Sequence, residues 1–169
     1  VIGRSFKQRL LELAEDALGK PPIPYCFLAL GSMARDEQLL VTDQDNAIIF
    51  DDSYAEDLHG EYFAALTQFV CEGLNACGYA YCTGDIMATN PRWQLTLSQW
   101  KDLFSQWISN PDPKALLHCS IFFDLDGVWG REQWAADLRR HIATQAKGNP
   151  KFLAALARNA LSRKPPLGF

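Results

Sequence analysis

The chain has 169 residues, 48% of them hydrophobic and 21% charged. That is the composition of one folded domain, with or without a small appendage, and it excludes disorder, collagen and coiled coil. A net charge of −4 argues against a broad positive face for nucleic acid. No apolar run nears the roughly 18–20 residues of a membrane span.

Residues 4–18 carry Phe6, Leu10, Leu13, Ala14, Ala17 and Leu18 on one stripe, which predicts an amphipathic helix ending at Gly19. Pro21, Pro22 and Pro24 forbid further helix and lead into an apolar run, 25–30, expected as a buried strand. Gly31-Ser32 ends it, and a short helix is expected over 32–39 with Ser32 near its start. A second strand is expected over 47–50. Asp51, Asp52 and Ser53 then offer caps for a long helix reaching Cys77, with Leu58, Tyr62, Leu66, Phe69, Val70 and Leu74 as its stripe and Gly78 at its end.

Residues 79–95 read as irregular. Thr96 with Gln99 is a capping-box pattern, and the helix it opens places Trp100, Phe104, Trp107 and Ile108 on one face. Asp112-Pro113 starts a further short turn of helix. The Ile- and Phe-rich stretch 120–125 is expected as a third strand, and two helices should follow over 131–147 and 149–164. The fold class is therefore α/β of the α+β kind, a small mixed sheet flanked by helices. Five cysteines at irregular spacing fit reduced thiols in a cytoplasmic protein. The chain opens at Val1 and closes after Pro165-Pro166, which reads as a piece of a longer protein.

One stretch concentrates chemistry. Gly31 permits a tight turn and close approach to a ligand. Ser32 opens a helix whose free N–H groups favour phosphate, and Arg35 follows one turn on. Asp43 and Asp45, spaced i and i+2 where a strand begins, put two carboxylates on one face. Two such charges repel unless a cation sits between them, and carboxylates with phosphate oxygens suit Mg²⁺. Asp51 and Asp52 read as caps, and Trp93, Trp100 and Trp107 as core. Asn90 and Arg92 stand in the irregular loop, within reach of a base or phosphate. His59, His118 and His141 are scattered and take no role.

Gly31-Ser32 with Asp43-x-Asp45 resembles the signature of the DNA polymerase β-type nucleotidyltransferase superfamily. The longer pattern, with Ala34, Arg35, Glu37 and Gln38 before it and Thr42, Gln44, Asn46 and Ala47 around it, is similar to one branch. That branch is the nucleotidyltransferase-type proteins related to PII-protein uridylyltransferase, found in bacterial signalling proteins beside CBS or cyclic-nucleotide-binding domains. The likeness continues through Asn90-Pro91, Trp93, Trp100, Trp107, Pro111, Pro113 and Asp124.

It implies a polymerase β-like nucleotidyltransferase domain over 1–130 and the start of a truncated, substrate-binding helical region over 131–169. Gly31, Ser32 and Arg35 would bind a nucleoside triphosphate. Asp43, Asp45 and Asp124 would be catalytic and would hold Mg²⁺ or Mn²⁺. The nucleotide would pass to a hydroxyl acceptor, a protein tyrosine being the example set by PII. Asp36 and Asp126 stand where relatives often carry Gly and Arg. They favour the alternative, a catalytically weak nucleotide-sensing module.

Overall fold

A computed structural model describes residues 2–31 and 43–162. The helix expected over 32–39, with Ser32, Arg35 and Asp36, lies outside the described residues. Four strands form one mixed sheet: β1 (Tyr25–Ala29), β2 (Asn46–Phe50), β3 (Gln94–Thr96) and β4 (Asp126–Gly130), in the order β3-β2-β1-β4. β2 and β4 flank β1 antiparallel, and β3 runs parallel to β2. β1 and β2 are buried at every position, as strands covered on both faces must be, which is why both read as unbroken apolar runs.

Six α-helices among the described residues supply the cover: α1 (Ile2–Leu18), α2 (Glu56–Ala76), α3 (Leu97–Ser109), α4 (Pro113–Phe122), α5 (Gln133–Lys147) and α6 (Pro150–Ser162). α1 and α2 close one face over Tyr25, Phe27, Ala29, Ile48 and Phe50. The other face, carrying Leu28, Leu30, Ala47 and Ile49, packs on Trp93, Trp100, Phe104 and Phe122. Ala135, Leu138 and Ile142 of α5 and Phe152 of α6 join that second core. Tethers cross the layers: Trp100 Nε1 donates to Ile48 O at 3.0 Å, and Glu15 accepts from Tyr25 Oη and Trp129 Nε1, both at 2.6 Å. No helix among the described residues is long and apolar enough to cross a membrane.

The stretch 120–125 is not a strand. Residues through Phe122 finish α4, and the fourth strand begins at Asp126. Asp112 caps α4 by accepting from Ala115 N at 2.7 Å, with Pro113 at its first turn. Ala115, Leu116, Cys119 and Phe122 are buried at helical spacing. That periodicity overrides the β preference of Ile121 and the phenylalanines, since burying one helix stripe decides the matter.

Two caps also differ from expectation. α2 begins at Glu56 without a side-chain cap from Asp51 or Asp52; instead His59 Nδ1 accepts from Ala55 N at 2.9 Å. Asp51 holds a turn through Ser53. Asp52 reaches across to the first turn of α3, accepting from Ser98 N at 3.1 Å and Ser98 Oγ at 2.6 Å. The capping box of Thr96 and Gln99 forms as expected.

Candidate functional site

The site lies where β1 ends and β2 begins. Gly31 has a φ of +56°, a left-handed turn that costs other residues about 1–2 kcal/mol. A Cβ there would sit 3.6 Å from Asp45 Oδ2, so the Asp45 carboxylate lies against the bare edge of this turn. A backbone bond from Leu30 N to Asp45 O, 2.9 Å, closes the two strand ends on each other. Gly31 and Asp45 are thus brought together as expected, and Asp43, exposed, stands two residues upstream. Asp43 lines up with Ala80 in a parallel bridge, and Gln44 N donates to Ala80 O at 2.8 Å.

Alternation along this segment divides its labour. Asp45 shares the phase of Ala47 and Ile49, which belong to the tryptophan-rich core. Gln44 and Asn46 point the other way and are fully buried. Gln44 Nε2 donates to Cys71 O at 2.9 Å and Tyr79 O at 3.1 Å. Asn46 Nδ2 donates to Gln44 Oε1 at 3.0 Å, while its Oδ1 accepts from Ala88 N at 2.6 Å and from the Cys71 thiol at 3.5 Å. Burial pushes that thiol up to about 12, so it remains a donor. Two amides therefore bolt the carboxylate-bearing segment to α2 and to the 79–88 loop. Sequence reasoning missed both amides: their alternation with the two aspartates is visible, but only their burial gives it meaning.

Burial raises the Asp45 carboxyl above its ordinary range. A hydrogen bond from the Cys82 thiol opposes the rise, and the charge of Asp43 adds to it. A divalent cation fits this donor set, two adjacent carboxylates of which one is half-buried and repelled by the other. Among the described residues, no group of three His, Cys, Asp or Glu side chains is arranged to hold a metal.

Asp124 is in the turn between α4 and β4, two residues before the strand, and β4 borders β1, not β2. It therefore does not enter the site from the end of a third strand. Asp126 pairs with Ala29 and shares its phase with Val128 in the α1/α2 core, which puts it on the face opposite Asp45. Trp93, Trp100 and Trp107 are core residues, as expected.

A four-stranded mixed sheet between helical layers, with a glycine turn at one strand end and an Asp-x-Asp entry to the next strand, has the organisation of a nucleotidyltransferase-like fold. Residues 2–114 match the family described as "Putative nucleotidyltransferase DUF294", and the chain belongs to that family. Comparison with curated proteins returned no match.

Proposed function

We propose that this domain transfers a nucleoside monophosphate from a nucleoside triphosphate to a hydroxyl acceptor, with Asp43 and Asp45 as its metal-binding carboxylates. The observation that carries this reading is the Asp45 carboxylate held against the positive-φ turn at Gly31, beside a second carboxylate whose charge it feels. Family membership supports it.

Gly31 leaves room for the phosphates at the turn, and Ser32 and Arg35 are the residues proposed to bind them. Asp124 is proposed as the third carboxylate by its match to the family pattern, although it is not gathered with Asp43 and Asp45 here. A bound Mg²⁺ or Mn²⁺ would supply Lewis-acid chemistry, lowering the pKa of the acceptor hydroxyl and offsetting charge on the phosphoryl oxygens. Asp45, partly withdrawn from water, gains most from such a counter-charge. The acceptor oxygen bonds to the α-phosphorus, its proton passes to solvent, and the bond to the β-phosphate oxygen breaks to release pyrophosphate.

A tyrosine of a regulatory protein is the proposed acceptor class. The proposed setting is a cytoplasmic bacterial signalling chain with CBS or cyclic-nucleotide-binding neighbours. The test uses the full-length protein with α-³²P-labelled triphosphates, Mg²⁺ and soluble proteins of the source cell. Label on a macromolecule that vanishes in Asp43→Asn/Asp45→Asn supports transfer. Saturable nucleotide binding without label on any acceptor would replace this reading with the sensor.

A further inference from the structure

On the tryptophan-rich side of the sheet, a second pocket of about 230 Å³ opens between the 3₁₀ turn Pro91–Trp93, the end of α3 and the start of α4. His118 lines it and is only 6% exposed, yet its Nδ1 is buried with no hydrogen-bond partner among the described residues. A buried polar atom left unpaired costs about 1–3 kcal/mol, a cost that a water or a bound ligand beside the ring would lower. The imidazole packs against Trp93 and Trp107, with ring centroids 5.2 Å away in each case.

Two cations flank this ring. Arg92 and Lys114 line the same pocket, are exposed, and make no ion pair among the described residues. Arg92 lies over the Trp93 ring, 4.8 Å from its centroid, a cation–π contact. Burial first, then the charges of Arg92 and Lys114, hold His118 below the usual histidine range, with Asp112 opposing them. The carboxylate of Asp112 is itself engaged in capping α4. Gln106 and Asn110 add side-chain amides to the wall, and the first turn of α4 directs its dipole there.

Arg92, Lys114 and His118 around a small polar cavity outweigh the single carboxylate of Asp112, one oxygen of which is taken by Ala115 N; this net positive lining matches an anion with several acceptor oxygens. We propose that this pocket binds the phosphate group of a small phosphorylated molecule between Arg92, Lys114 and His118. The pocket does not depend on the nucleotidyl-transfer reading, because it contains neither Asp43 nor Asp45. It is nonetheless coupled to that site by position. β3 is parallel to β2, so the turn bearing Arg92 sits at the same end of the sheet as Asp45. The loop between them is tied to β2 by Asn46 N to Ile86 O at 3.1 Å, and is closed on itself by Asn90 Nδ2 to Asp85 O at 3.0 Å. A phosphorylated ligand there would report on, or be positioned for, chemistry at the neighbouring carboxylates.

The test follows the His118 ring protons by NMR across pH while inorganic phosphate is added at constant ionic strength, with acetate as the control anion. The expected result is a saturable shift with phosphate and an upward move of the His118 titration, because a bound dianion favours the imidazolium. Arg92→Gln/Lys114→Gln, both surface changes, should weaken phosphate binding by at least about tenfold, the worth of one charge-assisted contact, with melting temperature unchanged. Asp43→Asn/Asp45→Asn should retain the full phosphate response. The proposal is overturned if phosphate gives no saturable shift, if acetate acts equally, if the Arg92/Lys114 variant responds like wild type, or if the aspartate variant loses the response.

Discussion

The two faces of the sheet are built differently. Toward α1 and α2, the polar groups that enter the core meet partners: Glu15 takes both Tyr25 and Trp129, and Gln44, Asn46 and Cys71 satisfy one another and the backbone. Toward α3–α6, Trp93 Nε1 and His118 Nδ1 lie buried without hydrogen-bond partners among the described residues. Asp45 is half-buried in the same phase as that second face. Buried polar groups are nearly always paired, so each unpaired one asks for an explanation, a water or a ligand included. One face is closed by paired polar groups; the proposed chemistry falls on the other. The four residues at the entry of β2 follow the same division, with Gln44 and Asn46 as buried tethers and Asp43 and Asp45 as the proposed metal-binding pair.

Substitutions at those four residues should separate the two roles. Asn46→Ala strips partners from Ala88 N and Gln44 Oε1 and should cost about 3 kcal/mol, a fall of roughly 6–12 °C in a chain of this size; thermal unfolding by circular dichroism measures it. Asp43→Asn/Asp45→Asn should leave the ligand-free melting temperature unchanged or slightly raised, because it removes repulsion. In wild type, Mg²⁺ with a nucleoside triphosphate at about 100 times Kd should add about 2.7 kcal/mol, and calorimetric scans should show that gain absent from the double variant. A large loss of stability in the aspartate variant would erase the distinction between the phases.

Two smaller effects sharpen the comparison. Gly31→Ala meets no backbone of the described residues within 4 Å and should cost only about 1–2 kcal/mol for its positive φ, while impairing nucleotide binding more than stability. Chemical denaturation beside a nucleotide titration tests that split. Asp52 is structural, and its hydrogen bonds from Ser98 hold its carboxyl below the usual range. Its contribution is therefore present above the unfolded carboxyl pKa and is lost as pH falls through the lower folded value. Asp52→Asn should cost about 0.5 kcal/mol at neutral pH, a figure kept small by its exposure. Urea melts of the two proteins should converge once pH falls below the lowered range of the Asp52 carboxyl.

Much of this was legible in the sequence where the signal is local. The capping box at Thr96 and Gln99, the apolar runs of β1 and β2 and the buried tryptophans of α3 follow from spacing over a few residues. Non-local choices were not legible. β3 is three residues long and exists through its pairing with β2. In α2 Leu66, Val70 and Leu74 are buried as expected, but the stripe also takes in Phe63, Thr67 and Cys71 while Leu58 is 75% exposed, because the helix docks on one side of a sheet whose position the helix pattern does not encode. Asp52 caps a helix 46 positions away. The Ile- and Phe-rich segment misled because strand-favouring residues fit equally on a helix stripe between Asp112 and Asp124. At the site, Gly31 and Asp45 could be paired from the motif alone. Gln44, Asn46 and His118 could not, since their meaning lies in burial.

Manganese binding tests the central claim most directly. Free Mn²⁺ can be followed by electron paramagnetic resonance as wild type and Asp43→Asn/Asp45→Asn are titrated in the presence of a nucleoside triphosphate. The nucleotide alone gives the baseline. Wild type should remove Mn²⁺ from solution beyond that baseline, saturating at a fixed stoichiometry, and the double variant should stay on it. Equal uptake by both proteins would contradict the assignment of these two aspartates as the metal-binding pair.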